Sequence, residues 1–364
     1  MNYRNRKRSY LLFLLIIIII ISTFKYVYPF FNEKEQDLIY NNLTTLKRLD
    51  STKNFSFAVI GDNKNSVSTF QKIITSINSD PSIKFVVNTG DMVFDGSPVK
   101  YSFYLKQIKR FRVPLLVVPG NHDVEDHGTE NYIEIFGPLY YSFQFGDAYF
   151  IILNNSNEEK IDSYQMWWLE EELEKSQAYK YCFLLMHVPI YDPRLKYDQQ
   201  PGHSMKNLEN AKKLLSLIEN YNVTMIFAGH IHGYFRGYWE KVPYIITGGA
   251  GAELFGTNPE HYFYHYIKVN VSNKGVNYEL IKLRSPDFNV LDRIGAFLWL
   301  YLYSYIVINY WAILLVISFF VLISLIIHGE EKKLFIKIWN YFLNMRIVRF
   351  LIKLSKKIGD FGHR

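Results

Sequence analysis

The architecture this sequence predicts is an α/β domain carried between two membrane-spanning helices, and three observations predict it. Short β-rich runs alternate with helical patterns through the middle of the chain. Each of the main runs stops at a polar cluster built on Gly, Asp, Asn or His. The two most apolar stretches lie at the ends, beside most of the basic residues. The 364 residues are 49% hydrophobic and 21% charged, which suits one large domain with additions and excludes disorder along the whole length.

Residues 1–9 carry Arg4, Arg6, Lys7 and Arg8 and no acid, and residues 10–28 then read YLLFLLIIIIIISTFKYVY. About 20 apolar residues cross a bilayer core, and flanking Lys and Arg stay on the cytoplasmic side. A cleaved signal peptide shares the basic start and the apolar middle. No Ala-x-Ala-like site follows, however; Ser22, Thr23, Phe24 and Lys25 stand there, and an uncleaved anchor is expected.

Strands are expected at 55–60, 85–88, 115–118, 149–153, 182–186 and 225–228, where compact apolar runs have strand length. Helices are expected between several of them, at about 67–78, 99–111, 162–177 and 205–221. This alternation argues for a layered α/β domain with buried strands. After residue 233 strand-like runs follow one another, at 243–247, 262–271 and 276–283, and one domain over 50–285 is expected. The apolar run at 294–327 opens with Trp299, Tyr301, Tyr303, Tyr305, Tyr310 and Trp311, which suit an interfacial belt, so a second span is placed at 305–327. In the tail, 329–364, Arg346, Arg349, Lys353, Lys356 and Lys357 share one side of a helical projection, with Leu343, Ile347, Phe350, Leu351 and Leu354 largely opposite. That pattern suits a helix lying on an anionic inner leaflet.

The net charge of +7 divides unevenly. Residues 1–9 hold +4 and residues 329–364 hold +6, which leaves −3 on residues 10–328. The basic excess belongs to the ends, and no duplex-binding face is expected. The single cysteine, Cys182, excludes an intrachain disulfide framework and a Cys-rich zinc module. With both ends cytoplasmic, the domain between them is expected on the far side of the cell membrane.

The polar clusters carry the chemistry. In order they are Gly61-Asp62-Asn63, Gly90-Asp91, Gly120-Asn121-His122-Asp123, Met186-His187 and Gly229-His230-Ile231-His232. In α/β sheets, ligands bind beyond the carboxyl ends of strands, so clusters distant in sequence can converge. Taken singly, Asp62 or Asp91 would suit a turn or helix cap, Asn121 a loop, and His187 a hydrogen-bonded core position. Taken together they offer carboxylate, amide oxygen and imidazole, a donor set suited to manganese, iron or zinc. Two cations about 3.5–4 Å apart can activate a bridging water and hold both ends of an in-line displacement at phosphorus.

The ordered set GD–GD–GNHD–H–GHIH resembles the calcineurin-like metallophosphoesterase family over most of residues 55–250. The resemblance implies a four-layer β-sandwich flanked by helices, and hydrolysis of a phosphate mono- or diester by a metal-bridging hydroxide. It implies Asp62 and His232 at a first metal, Asp91 bridging, and Asn121, His187 and His230 at a second. It implies that His122 contacts the phosphate and protonates the leaving oxygen, with Asn121 also near the substrate. The small-residue run at 245–251, IITGGAG, is similar to the loop that follows the last motif in relatives.

One position departs from that pattern. Many relatives carry His two places after the first Asp, and here that place holds Lys64; nor is there a Tyr three places after Asp91, where Phe94 stands. A protonated lysine is no metal ligand. The first metal is therefore expected to bind weakly, and Lys64 either faces the substrate phosphate or lies on the surface without a role. His127, His203, His261 and His265 match no motif, and loop 192–204 either covers the site or is a plain surface connection. The expected protein is a membrane-anchored phosphoesterase, its substrate lipid-linked or otherwise outside the cytoplasm. The competing expectation is a binding or scaffold protein that kept the fold and lost turnover.

Overall fold

The computed structural model describes residues 3–31, 36–49, 54–125, 127–196, 199–286 and 290–328, so the amphipathic tail expected at 329–364 lies outside the described residues. The chain divides into two compact units, Pro29–Ile308 and a second made of Met1–Tyr28 with Asn309–Arg364.

Two sheets form the larger unit. In the first, β1 (Phe55–Ile60), β2 (Ile83–Asn88) and β3 (Leu115–Val117) run parallel, and the antiparallel pair β10 (His265–Ser272) and β11 (Gly275–Lys282) extends it in the order β11-β10-β1-β2-β3. In the second, β5 (Ala148–Ile152), β6 (Tyr181–Leu185), β7 (Met225–Ala228) and β9 (Val242–Thr247) are parallel neighbours. Antiparallel β4 (Tyr141–Phe145) and β8 (Tyr234–Trp239) close its two edges.

β1 reads FSFAVI and every one of its residues is buried, because both faces of its sheet are covered. Alternate side chains of the two inner faces meet as an aromatic core. Phe57 stacks on Phe85 with ring centres 5.2 Å apart and meets Phe150 and Phe183 edge-on, also at 5.2 Å. Such pairs each add about 0.5–1.5 kcal/mol beyond area burial. A separate core lies under the second sheet, where Leu169 and Leu173 of α7 (Ser163–Ser176) and Ala211, Leu214 and Ile218 of α8 (Leu208–Ile218) pack with Ile151 and Leu184. α7 starts where Asp162 accepts the backbone N–H groups of Tyr164 and Gln165. α3 (Ser68–Asn78) and α4 (Pro98–Ile108) supply Phe70, Ile73, Ile77, Tyr101 and Tyr104 to the first core.

β1, β2, β3, β5, β6 and β7 and the helices α3, α4, α7 and α8 match the expected ones within a few residues at each end, and β9, β10 and β11 match the three later strand-like runs. Two sheets flanked by helices make the sandwich that the motif order implied. α2 (Leu38–Lys47) buries Ile39 and Leu46 in the same core and adds to the folded unit ahead of residue 50.

Among the described residues, two helices are long and apolar enough to cross a membrane: α1 (Tyr3–Phe31), with its apolar window at Tyr10–Tyr28, and the run Val290–Ile326. The second comprises α9 (Val290–Phe297), a π-helical turn at Leu298–Tyr303 and α10 (Ser304–His328). Phe13, Ile20, Phe319 and Phe320 are among the large apolar side chains these helices leave exposed.

Candidate metal centre

The parallel strands deliver the polar clusters to one cleft. Asp62 follows β1, Asp91 follows β2, Asn121 and His122 follow β3, His187 follows β6, and His230 and His232 follow β7. Backbone hydrogen bonds continue past the strand ends and lock the loops together. Asp62 N–H donates to Gly90 O at 2.9 Å, Lys64 N–H to Asp91 O at 3.0 Å, and Gly229 N–H to His187 O at 2.9 Å. The loop after β9 closes over them, with Ala250 N–H on Gly61 O and Ala252 N–H on Asp62 O.

Close packing leaves no room for a side chain at several glycines of these loops, Gly120 and Gly90 among them. A Cβ on Gly120 would lie 2.2 Å from Asp91 N and 2.4 Å from Asp91 Oδ1. Gly90 has φ +102°, and a Cβ there would meet His187 Nδ1 at 2.6 Å. Of the nine non-glycine residues with positive φ among those described, six (Asp62, Lys64, Asn65, Asp91, Glu158 and His230) are at or beside this cleft. Left-handed backbone at non-glycine residues is costly and gathers at sites of function.

Ligand atoms of Asp62, Asp91 and His187 lie within 4.8 Å of one another, and all three residues are buried. His187 Nε2 is 3.3 Å from Asp91 Oδ1 and 3.0 Å from Asn121 Oδ1. His230 Nδ1 is 3.2 Å from the same Asn121 oxygen, and His232 Nε2 is 3.4 Å from Asp62 Oδ1. Second partners fix the tautomers of two rings. His187 Nδ1–H donates to Thr89 O and His232 Nδ1–H to Glu253 O, each at 2.8 Å. His187 Nε2, so held, faces two acceptor oxygens, Asp91 Oδ1 and Asn121 Oδ1. Acceptor facing acceptor in a buried cluster is unfavourable unless a cation lies between them. The residues present therefore fit divalent metal, with the backbone partners that metal-binding imidazoles use.

The electrostatics agree at Asp91 and His230 and differ at His232. Burial alone would push Asp91 up, but His187, Lys64, His122 and His230 outweigh it and hold its carboxyl at about 2. Burial, aided by His187, holds His230 well below the ordinary imidazole value, as a neutral ligand requires. Burial lowers His232, yet the Asp62 carboxylate at its Nε2 outweighs that and moves it upward.

The cleft measures about 680 Å³ and is lined by Lys64, Asp91, Asn121, His122, His230 and His232, with Arg194, His203, Glu253 and Tyr301 among the other walls. The expected residues thus converge. His122 Nδ1–H donates to Phe94 O at 3.0 Å, which leaves Nε2 3.9 Å from Asp91 Oδ2. Lys64 is not a surface residue: it is buried, with Nζ 3.8 Å from Asp91 Oδ2 and 3.9 Å from Glu253 Oε1.

Sequence reasoning passed over three side chains. Glu253 stands in a loop with no motif around it. Asp123 belongs to a quoted motif, but its carboxylate is a brace that accepts N–H from Met92, Val93 and Gly120. His203 lines the cleft with its ring centre 5.2 Å from that of His230, because loop 192–204 folds back when Asp192 accepts His203 N–H at 2.9 Å. Part of that loop is therefore cleft wall.

Comparison with known proteins places this geometry among relatives. The model of the calcineurin-like phosphoesterase family matches residues 55–234. The human serine/threonine-protein phosphatase CPPED1 is 25% identical over 244 residues, which cover 58% of this chain and 77% of that protein. A protein of Fibrobacter succinogenes named "Probable cyclic nucleotide phosphodiesterase" is 30% identical over 190 residues, covering 49% of this chain and 70% of that one. Among solved structures, the purple acid phosphatase PPD1 of yellow lupin superposes with a TM-score of 0.52 at 17% identity, over 66% of this chain and 55% of that one, a likeness of fold alone.

Proposed function

The chain belongs to the calcineurin-like phosphoesterase family, and we propose that it is a membrane-anchored, metal-dependent hydrolase of a phosphate mono- or diester, working outside the cytoplasm. One observation carries the reading: His187 Nε2, turned inward by the Nδ1–H bond to Thr89 O, faces the oxygens of Asp91 and Asn121 inside a buried cleft.

The donors divide into two halves. Asp91, Asn121, His187 and His230 form the fuller one; Asp62 and His232, with Asp91 shared, form the other, weakened by Lys64. Manganese, iron or zinc suits such donors. Divalent cations held there supply Lewis acidity, lowering the pKa of a water and neutralising charge at phosphorus. The chain's own part is positional. Asn121 and His122 face the cleft where a phosphoryl group would lie, and His122 Nε2 is placed to give a proton to the leaving oxygen. Lys64 adds positive charge to the same wall.

The two apolar helices support membrane anchoring, and the basic residues of both ends support a cytoplasmic location for them. A lipid-linked substrate is supported by an apolar cavity of about 310 Å³ that shares Glu253 and Phe255 with the cleft and is lined by Leu254, Ile294, Phe297 and Leu300. The competing reading, a binding protein without turnover, draws on Lys64 alone.

Hydrolysis of a chromogenic phosphate monoester and the matching diester by the full-length chain, with each metal supplied in turn, tests the proposal. Activity lost in both Asp91→Asn and His122→Ala supports it. Silence of the folded, metal-loaded wild type overturns it in favour of the binding reading.

A further inference from the structure

We propose that the Lys64 ammonium takes the place of a second cation, so that the centre binds one divalent ion, among Asp91, Asn121, His187 and His230. The inference rests on the metal-dependent reading above and narrows it.

Lys64 reaches the centre because its backbone is built into it. Its N–H donates to Asp91 O at 3.0 Å, its φ is +37°, and its side chain is 8% exposed. Nζ lies between two carboxylates, 3.8 Å from Asp91 and 3.9 Å from Glu253. A buried ammonium requires such anions, and a divalent ion on the same side of Asp91 would be repelled by it at close range.

Glu253 is the second anion that faces this cation. Its carboxylate is largely buried, and Oε2 has no hydrogen-bond partner among the described residues. It does not join Asp62 and His232 around an ion. Glu253 lies on the Nδ1 side of His232, with Oε2 4.0 Å from that nitrogen, whereas Asp62 lies on the Nε2 side. Its charge faces Lys64, with the Tyr301 hydroxyl as a further partner.

Charge balance points the same way. Asp62, Asp91 and Glu253 set against Lys64 leave two negative charges, which one divalent ion cancels and a second would overturn. Asp62 is already engaged without an ion of its own: both its oxygens accept His230 N–H, at 3.1 and 3.0 Å, and His232 stands at 3.4 Å.

The test is the stoichiometry and spin state of bound Mn(II). The purified full-length chain is saturated with Mn(II), freed of excess by dialysis, assayed by elemental analysis and examined by electron paramagnetic resonance. The expected wild type holds one Mn(II) per chain and shows an isolated six-line signal. Lys64→His, which restores an imidazole, is expected to hold two and show a spin-coupled pair. Two ions in the wild type overturn the inference and leave the phosphoesterase reading standing. A folded Lys64→His chain that still binds one shows that Lys64 is not what excludes the second ion, which also overturns it. No bound Mn(II) in the folded wild type overturns both. Should Lys64→His fail to fold by circular dichroism, the wild-type count and spectrum still decide.

Discussion

His187 Nδ1–H donates to the main-chain oxygen of Thr89 at 2.8 Å, and this bond turns Nε2 toward Asp91 and Asn121. Because Thr89 directly precedes the Gly90-Asp91 turn, the loop that presents the carboxylate also sets the tautomer of the imidazole it faces. Disturbing such outer partners costs about 10–100-fold in metal affinity, so removal of the ring itself costs at least as much. His187→Ala is therefore expected to weaken Mn(II) binding by roughly 100-fold or more in a titration of the folded chain. Affinity within threefold of the wild type would remove His187 from the centre.

His122 is placed differently. Its Nδ1–H is held by Phe94 O at 3.0 Å and stands 3.2 Å from Glu125 Oε2, while Nε2 points into the cleft. His122→Ala should lower kcat by about 10²–10⁴ with the bound metal unchanged, because a proton donor is lost and no ligand. Glu125→Gln should cost less than about tenfold, since the Phe94 carbonyl still orients the ring. A His122→Ala chain that loses its metal would turn the residue from acid into ligand.

Gly120 and Asp91 are in contact without a side chain between them. A Cβ on Gly120 would meet the backbone nitrogen of Asp91 at 2.2 Å and its carboxylate at 2.4 Å, and the backbone cannot yield without shifting the turn. Gly120→Ala should displace Asp91 and cut kcat/KM by about 100-fold, in keeping with the effect of roughly 1 Å misplacements at reacting centres. Activity within a factor of three would show that the loops can separate without harm.

Much of this arrangement was legible in the sequence, because β1, β2, β5, β6 and β7 are apolar runs ending at residues whose chemistry stands out locally. The edge strands were harder. β4, YSFQF, alternates inward and outward and turns into β5 through Gly146-Asp147, with Gly146 at φ +57°, a hairpin signal that was there to be read. β8, YFRGYW, carries a glycine and an arginine and shows weak alternation. Glu253 had no local signal at all. It reaches the centre because the loop after β9 is tied to Gly61 and Asp62, nearly 190 residues away, and only the closed sandwich brings them together. Lys64 was visible as a departure from the family pattern, but its burial and its pairing with Glu253 required the fold.

His265, on β10, is fully enclosed: Nδ1–H donates to Phe263 O at 2.9 Å and Nε2 accepts from the Thr247 hydroxyl at 3.1 Å. Burial pushes its imidazole down from the ordinary 6.5 to about 4, so the folded chain keeps the ring neutral where the unfolded chain does not. Between pH 6.5 and 4 the unfolded state thus binds the extra proton, and stability falls as pH falls, by up to about 1.4 kcal/mol per pH unit from this residue. Above pH 6.5 both states are neutral and the contribution is flat. His265→Gln cannot take up that proton; it should lower stability near neutral pH, where the packed ring is lost, yet give a shallower decline toward pH 4. Denaturant melts of both chains at half-unit intervals between pH 4 and 7.5 check this, because histidines common to both cancel in the difference. Curves that run parallel through the whole interval would mean that His265 is protonated, or accessible to protons, in the folded state.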